Sequence, residues 1–126
     1  MRSISVKQLR EFLKSNVFEF QPTQKKLCFP IILRIYFKMT IGVEFENINV
    51  DNSLLINEHH RYICSLLSKK VLRTNTWGSP SQIPTFKWAE IEIDLNDWET
   101  IEMIDRHNSK DAAKSGMDIK NFENLM

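Results

Sequence analysis

Three adjacent residues carry the chemistry this chain offers most directly. His59, His60 and Arg61 stand where the β-favouring run Leu54-Leu55-Ile56 gives way to the polar Asn57-Glu58 and then to a helical pattern. A strand that stops at such a turn and feeds a helix aims its polar side chains, and the helix's unpaired N–H groups, at one point in space. An anion suits that point. Arginine presents phosphate with a fixed fork of donors, and a histidine can give or take a proton in phosphoryl transfer or phosphodiester cleavage. The plainer alternative is a solvated turn in which Arg61 pairs with Glu58 and His60 packs on Tyr62.

The elements that must position these residues can be read on either side. Ser5 and Gln8 form a capping box ahead of Val6, Leu9, Phe12 and Leu13, which predicts a helix over 5–14. Residues 21–26 read as a turn-rich link. Pro30 suits the first turn of a second helix with Leu33, Tyr36, Phe37 and Ile41 inward, and Gly42 is a natural stop. Arg34 and Lys38, one turn apart on it, can hold a second phosphate or a polynucleotide backbone, or simply form a solvated face. Strands are expected at 46–50 and 53–56 around a turn at Asp51-Asn52, and a helix over about 60–69. A short strand follows at 71–73, then a loop over 74–85 whose Ser79-Pro80-Ser81-Gln82 can cover a ligand or act as a rigid connector. Residues 86–93 read as a strand. A last helix, capped by Asp94 or Asn96, carries Trp98, Ile101 and Ile104, with Trp98 expected in the core. The end of the chain is either a short docked helix or a frayed tail.

At 126 residues, 42% hydrophobic and 26% charged, the composition is that of one globular domain. Net charge of +1 conceals an asymmetry: residues 1–73 hold 12 Lys and Arg against 6 Asp and Glu, whereas residues 74–126 hold 5 against 10. The His-His-Arg turn lies in the basic part, which favours an anionic partner. Cys28 and Cys64 are too few for a disulfide framework and read as reduced thiols. No apolar run reaches membrane-spanning length, and the first residues do not read as a secretory signal, so a cytoplasmic protein with no membrane partner is expected.

The order of a helix ending at Gly42, two strands, Glu58-His59-His60-Arg61-Tyr62 and a helix resembles the ParB/sulfiredoxin superfamily. There a strand ends in a four-residue box, Gly-Glu-Arg-Arg in partition proteins and Gly-Cys-His-Arg in sulfiredoxins. The match is similar in particular to a branch with Gly-His-His-Arg-Tyr, found at the C-terminal ends of bacterial polymorphic toxins and in small stand-alone proteins. A Trp-containing acidic segment often follows in that branch, as Trp88-Ala89-Glu90-Ile91-Glu92-Ile93-Asp94 and Asp97-Trp98 do here. The resemblance covers about residues 30–100. It implies a short mixed sheet flanked by helices; with the N-terminal helix at 5–14 and a C-terminal helix and polar tail at 97–126, the chain reads as a single α+β domain over 1–126. It also implies that Arg61 and His60 meet phosphates, that His59 stands at the sulfiredoxin nucleophile's position, and that the cofactor is Mg2+ with ATP or CTP. One departure is that Glu58 occupies the family glycine's place.

The leading expectation is therefore a phosphate-binding domain acting on a nucleotide or nucleic acid, a toxin-like nuclease or NTPase with His59, His60 and Arg61 catalytic and Arg34 and Lys38 binding phosphate. If it belongs to a secreted toxin, it would act in a target cell's cytoplasm and meet a cognate immunity protein. A second expectation is a non-enzymatic binding or immunity-like module whose acidic second half docks a basic partner. Two others rank lower. DNA binding without catalysis lacks a recognition helix dense in Arg, Lys, Asn and Gln. A His-Asn-His-type metal site from His59, His60 and His107-Asn108 needs adjacent histidines to face one ion.

Overall fold

The Ser5–Gln8 capping box forms as the sequence requires. Gln8 N donates to Ser5 Oγ at 3.1 Å and Ser5 N donates to Gln8 Oε1 at 2.8 Å, and helix α1 runs over Val6–Ser15. These contacts come from a computed structural model that describes residues 3–78 and 82–125. Along it follow β1 (Lys26–Cys28), α2 (Phe29–Thr40), β2 (Ile48–Asp51), β3 (Leu54–Leu55), α3 (His59–Ser68) and β4 (Thr74–Thr76). A 3-10 turn (Trp88–Glu90), β5 (Glu92–Asp94), α4 (Ile101–Lys114) and α5 (Ile119–Leu125) complete a small single-domain α+β fold.

Two short sheets frame it. β2 and β3 form an antiparallel hairpin through Asn52, whose φ of 53° is the left-handed turn conformation that Asn tolerates. β4 runs parallel to β2 on its other side, and β1 pairs in parallel with β5. The main core lies between these sheets and α1, α2 and α3. At its centre the buried Trp88 ring packs against Phe18, Tyr62 and His59 at centroid distances of 5.5, 5.9 and 6.1 Å, while its indole N–H donates to Phe20 O at 2.8 Å. A fully buried Trp needs such an acceptor.

Several elements differ from the sequence reading, each for a local reason. The link at 21–26 already contributes Lys26 to β1, because Leu27 and Cys28 are buried beside β5. The first part of the expected 86–93 strand is a 3-10 turn, since Ile91 N turns back to Trp88 O; only Glu92–Asp94 are extended. The strand expected at 71–73 forms instead at Thr74–Thr76. The last helix begins after Thr100, whose Oγ1 accepts from Met103 N, and not after Asp94 or Asn96. Trp98 therefore lies outside that helix; it is 42% exposed, with its indole N–H on Asp94 Oδ2 at 2.8 Å, and is not a core residue. The Ser79-Pro80-Ser81 part of the expected covering loop lies outside the described residues.

The C-terminal residues dock. α4 and α5 close a second small core of Val43, Ala112 and Phe122. They are tied to α2 by Lys38, only 4% exposed, whose Nζ stands 2.8 Å from Asp111 Oδ2. Removing one member of a buried pair strands the other charge, at about 3–5 kcal/mol, whereas an apolar pair of similar volume is tolerated. Lys38→Met should thus lower unfolding stability in urea by that amount, and Lys38→Met with Asp111→Leu should recover most of it.

Candidate functional site

α3 begins without a side-chain cap. Its N-cap is Glu58, at φ 60° and ψ 45°, and no side chain bonds the first turn. The left-handed region suits glycine and costs other residues roughly 1–2 kcal/mol, so Glu58 holds a backbone conformation that glycine adopts more readily. Its side chain is directed to Arg61, with Oε2 at 3.4 Å from Nη2.

The two histidines diverge. His59 is 2% exposed, and its Nε2 accepts from Thr23 N at 3.0 Å. His60 accepts from Cys28 N through Nε2 at 2.8 Å and meets the Trp98 ring edge-on at 5.3 Å. An imidazole that accepts a backbone N–H through Nε2 is neutral, with its proton on Nδ1. Burial pushes both pKa values down to about 4, the neighbouring imidazole adding to the effect at His59. The lone pair that a general base would use is therefore occupied in each.

A cleft of about 310 Å³ opens between α2, the start of α3 and α4. Arg34, Lys38, His60 and Arg61 all line it, so the fold gathers four of the five expected residues. His59 does not line it, and the Nε2 lone pairs of both histidines, expected to serve in catalysis, are engaged by the Thr23 and Cys28 backbone N–H groups. Arg61 is held by three contacts: Nη1 donates to Glu46 O at 3.2 Å, Glu58 approaches Nη2, and the guanidinium stands 5.6 Å over the Phe45 ring. Its Nε is buried and has no hydrogen-bond partner among the described residues. His60 has no acceptor on Nδ1 among those residues, so its remaining N–H can serve an anion.

The other two cations are committed elsewhere. Lys38 is the buried partner of Asp111, and burial rather than phosphate explains its place. Arg34 donates to both Asp97 oxygens at 2.6 and 2.8 Å and to Glu99 Oε1 at 2.6 Å. Burial opposes its charge, but hydrogen bonds to Asp97 and Glu99 outweigh this and raise its pKa; the same contact lowers that of Asp97. Both residues expected to bind phosphate are thus ion-paired within the fold.

α4 and the segment just before it add further side chains to the cleft. Glu99 Oε2 lies 3.1 Å from His107 Nε2, and His107, Lys110 and Lys114 line the same cleft. Arg34 reaches Glu99 across 65 residues of sequence, and no local pattern announces that meeting.

A protein-held Mg2+ does not fit. The cleft carboxylates Glu46, Glu58, Glu99 and Asp111 face Lys110, Arg61, Arg34 with His107, and Lys38. No three His, Cys, Asp or Glu side chains gather for a metal among the described residues, and the His-Asn-His arrangement is not assembled because His59 faces Thr23. Neither thiol suits nucleophilic work: burial pushes Cys64 well up, and Cys28 Sγ donates to Asn96 O at 3.3 Å.

No protein-family model, curated protein or solved structure matches the chain.

The histidines impose a pH dependence whose sign is set by their depressed pKa values. Above about pH 6.5 folded and unfolded chains are both neutral there, and the contribution is fully present. As pH falls, the unfolded chain takes up protons first, so stability is lost between about 6.5 and about 4 and levels off below that. The loss is on the order of 3 kcal/mol for each histidine, at 1.4 kcal/mol per pKa unit. Urea unfolding at stepped pH should show this slope, and His59→Gln should reduce it.

Proposed function

We propose that the cleft binds the phosphate of a nucleotide or nucleic acid, in a domain of ParB/sulfiredoxin type that acts on that ligand. The observation that carries this reading is Arg61, presented at an uncapped helix N-terminus with a buried, unpartnered Nε and the neutral His60 beside it. A helix N-terminus favours negative charge, and an arginine fixed there by a carbonyl and an aromatic ring binds without first losing side-chain freedom. The resemblance is supported by three positions: Gly42 at φ 96° closing α2, Glu58 in a glycine-like conformation, and β3 leading through the box into α3. Any Mg2+ would arrive on the phosphates of a nucleotide and would shield their charge there.

Glu58 is the intramolecular competitor for Arg61. Isothermal titration with inorganic phosphate and ATP should give saturable binding at one site. Arg61→Ala should weaken it about ten- to a hundredfold, the worth of a charge-assisted contact. Glu58→Gly should tighten it. Unchanged affinity in Arg61→Ala would remove the basis of the reading.

A second reading rests on a separate observation. Leu95, Trp98 and Ile101 are exposed at 64, 42 and 74% amid Asp94, Asp97, Glu99 and Glu102. Such a rim suits docking of a basic partner protein, as in an immunity-like module. A stoichiometric native complex that dissociates with Ile101→Asp, but not with Arg61→Ala, would favour it.

A further inference from the structure

The cleft contains one imidazole whose lone pair is not consumed by the fold. On α4, His107 has 53% of its side chain exposed, while Glu99, which it meets at 3.1 Å, is only 16% exposed. Glu99 is itself fixed. Its Oε1 accepts from Arg34 Nη2 at 2.6 Å, and Arg34 is anchored by both oxygens of Asp97. A chain of Asp97, Arg34 and Glu99 therefore holds one ring nitrogen of His107. Nε2 stands at ion-pair distance from Glu99 Oε2, and Nδ1 has no hydrogen-bond partner among the described residues. A carboxylate beside the ring stabilises the imidazolium that a histidine base becomes. His59 and His60 show the opposite arrangement, each spending its lone pair on a backbone N–H.

We propose that His107 is the general base of a phosphoester- or phosphoanhydride-hydrolysing site in this cleft, with Glu99 and Arg34 as positioning residues. The proposal rests on the phosphate-binding reading of Arg61. Arg61, the His60 Nδ1–H and the first turn of α3 hold the phosphoryl oxygens, and a water molecule stands at His107 Nδ1. The water oxygen forms the new P–O bond as its proton passes to Nδ1. The P–O bond to the leaving oxygen breaks, its electron pair goes with that oxygen, and the imidazolium returns the proton to it. Water is the only co-reactant. An oligonucleotide and a nucleoside triphosphate share this chemistry and differ in the leaving group.

The test uses the full chain with three probes: a fluorescent RNA oligonucleotide, a fluorescent DNA oligonucleotide and ATP with Mg2+. Thermal shift with inorganic phosphate is measured in parallel. Wild type should turn over at least one probe. His107→Gln, a substitution at an exposed site, should lower kcat at least about 100-fold while keeping the phosphate-induced shift in Tm. Glu99→Gln should lower kcat and displace the ascending limb of the pH–rate profile, and added imidazole should restore part of the activity of His107→Ala. Where Glu99→Gln melts below the assay temperature, Glu99→Asp takes its place. The proposal is overturned if His107→Gln keeps kcat within threefold, or if wild type is stabilised by phosphate yet turns over none of the probes. Those results leave phosphate binding standing. An absent phosphate shift in wild type defeats both.

Discussion

Two backbone N–H groups organise this molecule. Thr23 N lies just ahead of β1 and Cys28 N at its last residue; His59 and His60 accept them. A buried N–H without a partner costs about as much as a lost hydrogen bond, so the segment 23–28 and the start of α3 are bound to one another. The consequence reaches the next residue. With His59 and His60 fixed, the first turn of α3 has one orientation, and Arg61 is delivered to the cleft wall. Trp88 reinforces this from beneath by packing on both His59 and Tyr62. In this arrangement, the histidines are the foundation of the site more than its reagents.

The electrostatics of the cleft follow from the same economy. Its cations and carboxylates are interleaved, and most are already paired: Lys38 with Asp111, Arg34 with Asp97 and Glu99, Arg61 with Glu58. These pairs are unequal. Lys38 and Asp111 are buried, and opening them would cost α4 its anchor. Glu58 holds Arg61 at 3.4 Å with 45% of its own side chain in solvent, where an ion pair contributes little. An incoming phosphate would thus exchange with Glu58 rather than with Asp111 or Glu99. Of the three arginine and lysine side chains weighed as anion ligands, only Arg61 is placed to change partners.

What the sequence discloses depends on whether the determining contact is local. α1 is legible from its capping box, and α2 from Pro30 and Gly42. The strand, box and helix around residue 58 are legible because each switch of pattern is short-range. The separate fates of His59 and His60 are not. Successive residues on a helix diverge by about 100°, and which one is buried against Thr23 and which lines the cleft is decided by docking. Arg34 and Lys38 read as free cations in the sequence because their acids lie 63 and 73 residues away. Trp98 reads as helical and buried because its spacing to Ile101 crosses Thr100, where the helix starts. His107 stands out in the sequence only as part of a metal motif, since its partner Glu99 is held in place by Arg34 from another element.

On the proposed reading Arg61, seated on the first turn of α3, is the anion contact of the cleft. Its buried Nε–H, unpartnered among the described residues, is a direct reporter, visible in a nitrogen-15 correlation spectrum as a guanidinium signal separate from the backbone. Titration with inorganic phosphate should shift that signal together with the amides of His60 and Arg61, saturating on a single curve. Shifts confined to exposed lysines elsewhere, with the Arg61 Nε–H signal unmoved, would contradict this assignment.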